Sequence, residues 1–367
     1  MAKYYEGLLP HLCEHGGVDS IVTFVSPWNA GLALPEHPKI EEAVCHGLPR
    51  WRAGRILYEQ LALPLFAAQR RVDVLLSTCN VRPRLWHGPS AVVLQSMQHA
   101  FLPVKTRRFR AGYLDRAIPV SLRTADIVIA VTETSRRDAI ELFGLDPARV
   151  LAVPHGASDW TLAVMDGSTP VVPHELSDGR PYVLALSRLY ELKNHRRVIE
   201  AFALLVAREG VSHALVIAGG EADLTVAEVQ AIARRAGVAD RVHVLGSVPQ
   251  EQIPPLYQGA DAVAYVSLYE TFGHPVLEAL AFRRPLLTST RGATAEVAGQ
   301  AARLADPYDV ESIADGLRDV LLDESLRARL AVAGPGRVQN FSWAACADAS
   351  YGAMRQAIEG RSGIAGG

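Results

Sequence analysis

The chain has 367 residues, a formal net charge of −2, 49% apolar residues and 21% charged residues. The length favours two domains, and the composition is typical of a globular protein with enough apolar surface to build cores. The small net charge argues against a nucleic-acid-binding protein, which usually has a large basic excess. The four cysteines, Cys13, Cys45, Cys79 and Cys346, have no paired spacing. This indicates reduced thiols in a cytoplasmic protein rather than a zinc site or a disulfide framework.

Membrane and export signals are weak along the chain. No uninterrupted apolar run approaches the roughly 18 residues that a membrane-spanning helix needs, and the N-terminus lacks the basic-then-apolar pattern of a signal peptide. One dense basic segment contains Lys105, Arg107, Arg108 and Arg110. It is either a solvated surface or a contact for an acidic membrane, where each cation contributes about 1 kcal/mol. We expect a cytoplasmic protein, with peripheral association at the inner membrane face as the functional alternative.

Short β-branched and leucine-rich runs alternate with amphipathic segments from one end of the chain to the other. Met1–Leu9 predicts a first helix, and Val198–Arg208 and Val226–Ala236 predict later ones. The predicted strands are Ile21–Val25, Val72–Leu76, Val92–Leu94, Ile127–Val131, Val150–Val153, Tyr182–Leu186, Leu215–Ala218, Val242–Leu245, Ala262–Val266 and Leu286–Thr288. This alternation predicts an α/β protein with parallel sheets covered by helices on both faces.

A polar, proline-rich stretch near Gly167–Pro181 predicts a linker between two doubly wound domains. We expect an N-terminal Rossmann-like domain over residues 1–168, a linker over 169–180 and a second Rossmann-like domain over 181–345. Residues 346–367 predict a C-terminal helix that crosses back to the first domain.

The loop after Tyr182–Leu186 contains the cations Arg188 and Lys193 and ends at Asn194, a residue type that caps helix N-termini. Open α/β sheets bind ligands at the carboxyl ends of their strands. A guanidinium and an ammonium there would grip a diphosphate and stabilise its growing charge as it departs. The alternative is a pair of solvated loop cations.

Two further strands end in glycine-containing turns. Gly219 follows the strand that ends at Ala218, and Leu245 to Val248 form the turn after Val242–Leu245. Such glycines are either plain turns or positions where a base and phosphates approach the backbone.

Gly273 lies between two carboxylates, Glu270 and Glu278, in the sequence. An apolar strand (residues 261–268) ends just before this segment, and Pro275 predicts the first position of the helix that follows. The free N–H groups of a helix start favour a diphosphate. Carboxylates beside it would accept hydrogen bonds from the hydroxyls of a sugar and a ribose. The alternative is a loop acid and a first-turn acid that complement the helix dipole.

Together these segments resemble the family-4 retaining glycosyltransferases, which have the two-domain GT-B fold. The resemblance covers essentially the whole chain and is strongest from Pro181 to Trp343. The first domain contributes R-T-A-D-I-V-I-A-V-T-E-T-S-R-R-D and V-L-A-V-P-H-G. The second domain contributes S-R-L-Y-E-L-K-N-H, I-A-G-G, L-G-S-V, L-Y-Q-G-A-D-A, E-T-F-G-H-P-V-L-E-A-L-A, R-P-L-L-T-S and F-S-W.

The resemblance implies two doubly wound parallel-sheet domains that face a cleft, and it implies roles for individual residues. Glu270 would contact hydroxyls of the donor sugar, Glu278 would hold the ribose, and Arg188 and Lys193 would bind the diphosphate. The remaining donor-binding positions that it implies are Phe272, Gly273, His274, Gly219, Leu245 and Val248.

The implied reaction is hexose transfer from a nucleoside-diphosphate sugar to a hydroxyl of a saccharide, lipid-linked or small-molecule acceptor, as in polysaccharide biosynthesis. The family transfers the sugar with retention, and the leaving phosphate is proposed to accept the acceptor's proton. The chain has no Asp-x-Asp sequence, which fits the family's independence from a metal. No cofactor is expected, and the partners are the nucleotide sugar and the acceptor.

The first domain departs from the family pattern in two places. Family members begin with a buried strand and a glycine-rich loop, whereas this sequence begins with the helix that should follow them, and Gly16-Gly17 predicts that helix's C-terminal turn. The first strand is therefore expected to be absent. Many relatives also have a His-Asp pair after the strand Val92–Leu94, where this chain has Gln95 and, one loop further on, His99. We expect these two on the acceptor side.

These departures leave two alternatives to an active glycosyltransferase. One is a catalytically impaired sugar-nucleotide-binding remnant of the GT-B fold. The other is a GT-B-like sugar-nucleotide epimerase, which changes the configuration of the sugar without removing it from its nucleotide.

Overall fold

The structure is a computed structural model that describes residues 2–30, 34–101, 108–167, 173–174, 176 and 178–362. The chain divides into two compact units. The first comprises Met1–Met97, Arg107–Gly156 and Ser342–Gly367, and the second comprises Gln98–Thr106 and Ala157–Phe341. The division differs from a boundary at residue 168, because residues 157–167 lie in the second unit. The C-terminal helix lies in the first unit.

All pairings between neighbouring strands are parallel. The strands are β1 (Ile21–Val25), β2 (Ile40–Val44), β3 (Leu75–Ser77), β4 (Ser90–Leu94), β5 (Ile127–Ala130), β6 (Val150–Ala152), β7 (Tyr182–Leu186), β8 (Ala214–Ala218), β9 (Val242–Gly246), β10 (Ala262–Tyr265), β11 (Leu286–Ser289) and β12 (Arg303–Ala305).

The α-helices connect and cover these strands. They are α1 (Ala2–Glu14), α2 (Arg52–Gln69), α3 (Gln98–Phe101), α4 (Arg108–Thr124), α5 (Glu133–Phe143), α6 (Asp159–Met165), α7 (His195–Glu209), α8 (Val226–Arg235), α9 (Ile253–Gly259), α10 (His274–Ala281), α11 (Thr294–Ala298), α12 (Val310–Leu322), α13 (Glu324–Val338) and α14 (Trp343–Ser362). Among the described residues, none of these helices is both long and apolar enough to cross a membrane.

The first unit contains two separate sheets, the pair β1-β2 and the four-stranded sheet β3-β4-β5-β6. Strands β4 and β5 are buried along their whole length, whereas every residue of β1 is only half-buried. The helix α14 packs on α1, β4 and β5. Among the residues that the structure describes, β1 pairs with β2 and β3 pairs with β4.

The second unit is built on one six-stranded sheet in the order β12-β11-β10-β7-β8-β9. Its core joins the sheet to α7, α8 and α12 through fully buried side chains such as Phe202, Leu215 and Leu317. The chain moves from β7 through β8 to β9 in one direction and from β10 through β11 to β12 in the other. The order therefore reverses between β7 and β10, and ligands bind open α/β sheets at such a switch point.

All ten predicted strands are present; Ile21–Val25 and Tyr182–Leu186 have both ends as predicted, and the ends of the others differ by at most three residues. Two strands were missed. β2 is Ile40–Val44, whose Glu41 and Glu42 lower its apparent strand character, and β12 is only three residues long. Both are edge strands of their sheets, where polar side chains remain in contact with water.

Candidate functional site

The candidate site lies at the carboxyl edge of the second unit's sheet. The loop after β7 carries Arg188 and Lys193, the neighbouring β10 leads to Glu270, and β8 on the other side leads to Gly219. Adjacent strands lie about 4.8 Å apart, so these loops begin side by side. Position in the sheet therefore brings together residues that are up to 82 positions apart in the chain.

A lysine, a carboxylate and a tyrosine meet at the switch point. Lys193 Nζ forms an ion pair with Glu270 Oε1 and donates a 2.8 Å hydrogen bond to the Tyr265 hydroxyl. That hydroxyl donates to the same Glu270 oxygen over 2.9 Å. Only 14% of the Lys193 side chain and 8% of the Glu270 side chain are exposed. A cation and an anion are thus held together with little water between them.

The protonation states in this cluster follow from burial and from the charges in contact. Burial opposes a charge on Lys193, but the Glu270 carboxylate and Tyr265 outweigh it, so the pKa of Lys193 is raised above its ordinary value. Burial, reinforced by the Glu270 charge, raises the pKa of Tyr265. At neutral pH Lys193 is therefore a cation and Tyr265 a neutral donor.

The backbone of Glu270 is held by the loop after β11. The N–H of Ala293 donates to the Glu270 carbonyl over 2.9 Å. Gly292 has a φ of 65°, and a Cβ at this position would lie 2.7 Å from the Glu270 nitrogen. Only glycine permits this close approach without strain. Sequence reasoning missed Gly292, although a glycine just beyond a predicted strand end is a detectable signal.

Asn194 does not cap α7 with its side chain, contrary to the sequence-based prediction. It precedes the helix with a φ of 63°, and its side-chain amide donates to the carbonyls of Val266 over 3.1 Å and Pro307 over 2.7 Å. These bonds connect the loop after β7 to the chain just beyond β10. The residue fixes Lys193 relative to Glu270 rather than satisfying the helix start.

His195 lies buried below the same loop. Its Nε2 lies 3.2 Å from the Ser187 hydroxyl and 3.3 Å from the Arg188 carbonyl oxygen. Burial lowers the pKa of His195 to about 4, although the Arg188 carbonyl acts in the opposite direction. The imidazole is therefore neutral at neutral pH and supports the loop that carries Arg188.

Arg188 lies on the same edge of the sheet but contacts the β8 side. Its guanidinium stacks over Tyr190, 5.1 Å from the ring centroid, and donates to the Glu221 carbonyl over 2.9 Å. The side chain is exposed, whereas Lys193 is enclosed. The two predicted diphosphate ligands therefore flank the switch point instead of touching each other.

Glu278 lies five positions into α10 and is 4% exposed. It accepts a 2.9 Å hydrogen bond from the Tyr257 hydroxyl. Tyr257 is fully buried, and burial together with the Glu278 charge and nearby Tyr265 raises its pKa well above the ordinary value. The two carboxylates that were singled out in the sequence are thus each paired with a buried tyrosine.

The turn between Glu270 and α10 has the glycine conformation that the sequence predicted. Gly273 immediately precedes the helix with a φ of 101°, which side chains rarely adopt. Phe272 is buried edge-to-face against Phe341, and His274 is half-buried with its ring 4.9 Å from that of Phe272. Helix α10 begins at His274, one residue earlier than the predicted start at Pro275.

The remaining donor-side positions lie further along the sheet. A Cβ on Gly219 would lie 1.9 Å from the Ser187 carbonyl oxygen, so this turn requires glycine. Leu245 is exposed and Val248 half-buried at the end of β9. From β10 to β9 there are three strand spacings, about 14 Å, which suits an extended ligand rather than a compact one.

On the first unit, the loop after β4 is organised by a residue that sequence reasoning missed. Asn80 has a φ of 63°, accepts from the Gln95 N–H over 2.7 Å and donates to the Ser96 carbonyl over 2.9 Å. The Gln95 side chain is half-buried. His99 lies in α3, but its side chain is outside the described part of the structure, and so is the basic segment: Lys105, Arg107 and the side chains of Arg108 and Arg110.

The structure therefore brings Lys193 and Glu270 into contact, places Gly273 directly before α10 and Glu278 within it, and leaves Arg188 on the β8 side. Within the described residues, no group of three histidine, cysteine or acidic side chains is arranged to hold a metal ion. What the cluster offers chemically is a buried cation with hydrogen-bond acceptors beside it.

Comparison with known proteins supports the resemblance. Residues 171–337 match the family described as "Glycosyl transferases group 1". The O-antigen chain mannosyltransferase B of Escherichia coli is 27% identical over 284 residues, which are 74% of this chain and 74% of that protein. Several D-inositol 3-phosphate glycosyltransferases also match, and the chain spans 54% to 65% of their length.

Solved structures show the same fold at low sequence identity. A glycosyltransferase from Rickettsia africae superposes with a TM-score of 0.69 at 14% identity, over 97% of this chain and 94% of that one. Anabaena Alr3699/HepE, solved in complex with UDP and glucose, superposes with a TM-score of 0.67 at 18% identity, over 95% of each chain. The chain has the GT-B fold, and its residues 171–337 match the family model of the group 1 glycosyl transferases.

Proposed function

We propose that the chain is a retaining, metal-independent glycosyltransferase that moves a hexose from a nucleoside-diphosphate sugar to a hydroxyl of a saccharide, lipid-linked or small-molecule acceptor. The observation that carries this proposal is the Lys193–Glu270–Tyr265 cluster at the switch point of the second unit's sheet. A buried lysine cation beside a carboxylate suits a ligand that carries both phosphates and hydroxyls.

The charges explain how one site accommodates both parts of such a donor. An isolated carboxylate would repel a diphosphate, but Glu270 is neutralised by Lys193. Lys193 therefore offsets the repulsion between Glu270 and a phosphate, while Glu270 keeps acceptor capacity for a sugar hydroxyl.

The surroundings of the cluster supply the other parts of a donor site. The start of α10 directly follows Gly273, and the positive end of the helix dipole there favours the diphosphate. Glu278 lies on the same helix and offers a carboxylate for a ribose. Gly219 lets the β8 turn approach Ser187 closely, and Leu245 provides apolar surface for a base.

The named relatives support this class of donor and acceptor. HepE was solved with UDP and glucose, and the Escherichia coli relative is named as a mannosyltransferase of the O-antigen chain. A hexose donor and a polysaccharide or lipid-linked acceptor are therefore the first to test. Both proteins are less than 30% identical to this chain. The base and the sugar of its own donor are therefore to be identified by experiment.

The proposed chemistry uses the donor's own leaving group. As the glycosidic bond to phosphate breaks, the growing negative charge is stabilised by Lys193 and the α10 N–H groups, so that no metal is needed to carry it. The departing phosphate oxygen takes the proton of the attacking hydroxyl on the same face, which preserves the anomeric configuration. Glu270 orients the sugar and forms no covalent intermediate.

A ligand panel tests the donor assignment first. The melting temperature of the full chain is measured with a series of nucleoside diphosphates and their sugars, since a ligand that binds only the folded state raises it. One nucleotide should give a clear shift, and Glu270→Gln should weaken the response to the sugar nucleotide more than the response to the free diphosphate. Glu251→Gln, an exposed acid in the same unit, serves as the control.

Product analysis then tests the reaction. With the selected donor and saccharide acceptors, nuclear magnetic resonance should show an anomeric configuration equal to that of the donor, and EDTA should leave the rate unchanged. An inverted product would refute retention, and EDTA inhibition would refute metal independence. A sugar that stays on its nucleotide with changed configuration would favour the epimerase, and binding of a sugar nucleotide without any reaction would favour the remnant.

A further inference from the structure

One aromatic ring of the second unit is stacked beside the candidate site and is still exposed to water. Phe101, the last residue of α3, stacks on Tyr269 with the ring centroids 3.8 Å apart and an angle of 17° between the ring planes. Tyr269 directly precedes Glu270 and is 5% exposed, whereas Phe101 is 38% exposed. Because the stack covers one face of the Phe101 ring, the exposed surface is the opposite face and the rim.

The ring under Phe101 is held by the loops that form the donor cluster. The Leu268 N–H, just before Tyr269, donates over 2.9 Å to the carbonyl of Leu192 in the loop after β7. On the other side, a Cβ added to Gly292 in the loop after β11 would lie 3.4 Å from the Tyr269 ring. Phe101 therefore rests on a buried ring with fixed neighbours, and a ring that is already ordered loses little entropy when a ligand binds to it.

The position of this ring pair along the sheet indicates which part of the donor it adjoins. Tyr269 follows β10, and the proposed base contact at the end of β9 lies three strand spacings away, about 14 Å. The nucleotide extends from β10 towards β9, because Lys193, Gly219 and Leu245 follow β7, β8 and β9 in that order. The ring pair thus adjoins the sugar end of the donor, which is the end that the acceptor hydroxyl attacks.

The exposed face of a phenyl ring favours a neutral sugar ring over an anionic group. The face is the negative pole of the ring's quadrupole, so it attracts C–H groups and repels phosphates and carboxylates. A pyranose has C–H groups on its faces and hydroxyls around its rim. One of its faces can therefore lose water against Phe101 while the hydroxyls keep their hydrogen bonds.

We infer that the exposed face of Phe101 is a stacking platform for the pyranose ring of the acceptor. The hydroxyl that receives the hexose then belongs to a saccharide, free or lipid-linked, and not to an aliphatic alcohol or a phosphorylated headgroup. The inference rests on the proposed transfer reaction and names its acceptor. In this arrangement Phe101 contacts the acceptor, and Tyr269 is the positioning residue that holds the platform next to Glu270.

Substitutions of Phe101 in the full chain separate a platform from simple packing. Phe101→Leu keeps an apolar side chain against Tyr269 but has no flat face, Phe101→Ala removes both, and Phe101→Trp restores a flat ring. Tyr308→Leu is the matched control, because Tyr308 is an exposed ring of the same unit, at 52%, but has the Arg197 guanidinium over it, 5.5 Å from the ring centroid. Initial rates are measured against the donor and against methyl glycosides and trisaccharides of mannose and glucose.

Phe101→Leu and Phe101→Ala should raise the KM for the saccharide about tenfold, while kcat and the KM for the donor change less than about twofold. Phe101→Trp should restore the native KM, and Tyr308→Leu should keep it. A native saccharide KM in Phe101→Leu would overturn the inference. So would equal increases in both KM values, because they would show that Phe101 only supports the fold of the donor loop.

A binding measurement tests the platform without transfer. In the full chain labelled with 4-fluorophenylalanine, the Phe101 resonance is the fluorine signal that Phe101→Leu removes. The same saccharides should shift this signal, and inorganic phosphate should not. A signal that no saccharide shifts, or that phosphate shifts equally, would overturn the inference even if the chain binds nucleotides. Absence of any nucleotide response in the thermal-shift panel would instead refute the proposed function, so the two failures are distinguishable.

Discussion

Replacement of Glu270 by glutamine should separate the contribution of its charge to stability from that of its shape. Lys193 and Glu270 are 14% and 8% exposed, so solvent screens their interaction little. Glutamine keeps a hydrogen-bond acceptor but leaves the lysine cation buried with only Tyr265 beside it. Removal of one partner of a buried pair costs roughly 3–5 kcal/mol, and we expect about 3 kcal/mol at pH 7.

The pH dependence gives a sharper test than the magnitude alone. In the native chain the pKa of Lys193 is raised, so its stabilisation is fully present below the ordinary lysine pKa and is lost as the pH rises through the raised value. Without Glu270, burial acts with little opposition and lowers that pKa. The variant should therefore gain stability as the pH rises from 7 to 10, where the native chain gains none.

Peptide-level hydrogen exchange in urea measures this free energy for the second unit separately, through the amides of α7 and β10. The double variant Glu270→Gln/Lys193→Met should recover most of the loss, because neither charge remains buried. Glu311→Gln is the control, since it breaks the exposed Arg208–Glu311 pair in the same unit and should leave the stability unchanged. A Glu270→Gln variant as stable as the native chain, or one with the native pH slope, would refute the reasoning.

Three further substitutions test the loops around the cluster. In a thermal-shift assay, Gly219→Ala should lower the melting temperature by several degrees and abolish the stabilisation by nucleotide. Gly220→Ala is the control and should do neither, because its added Cβ would lie 3.6 Å from the nearest atom. Because burial lowers the pKa of His195, the free energy of unfolding should fall by about 3 kcal/mol as the pH is lowered from 6.5 to 4. The His195→Gln variant should lose this dependence, which a plot of the urea midpoint against pH will show. Tyr257→Phe removes the donor to buried Glu278 and should cost about 1–3 kcal/mol in urea unfolding, and an unchanged midpoint would contradict the pairing.

The sheet of the second unit could be predicted from the sequence because its strands are short apolar runs that are buried on both faces. Local pattern is sufficient for such strands, as Tyr182–Leu186 shows with both ends predicted correctly. An apolar run does not identify every strand at a sheet edge, and Ile40–Val44 was missed because it contains two glutamates. Lys193 and Glu270 could be brought together from sequence because the carboxyl ends of neighbouring parallel strands share one edge.

The interactions that complete the site depend on distant residues and leave no local signal. Asparagine is a residue type that commonly caps helices, but the Asn194 side chain donates to the carbonyls of Val266 and Pro307, which are 72 and 113 positions away. Tyr257 and Tyr265 look like ordinary core aromatics in the sequence, yet each donates to one of the two candidate carboxylates. A hydroxyl on a buried ring is useful only where an acceptor lies within reach, and the sequence does not encode that distance.

A failure of transfer can be interpreted because Lys193, Tyr265 and Glu270 all lie in the second unit. The second unit has a continuous six-stranded sheet, and its cluster is formed by residues of that unit alone. Nucleotide binding should therefore survive changes in the first unit. If the chain binds no nucleotide, no change in the first unit will restore transfer, and the assignment of the Lys193–Glu270 cluster itself fails.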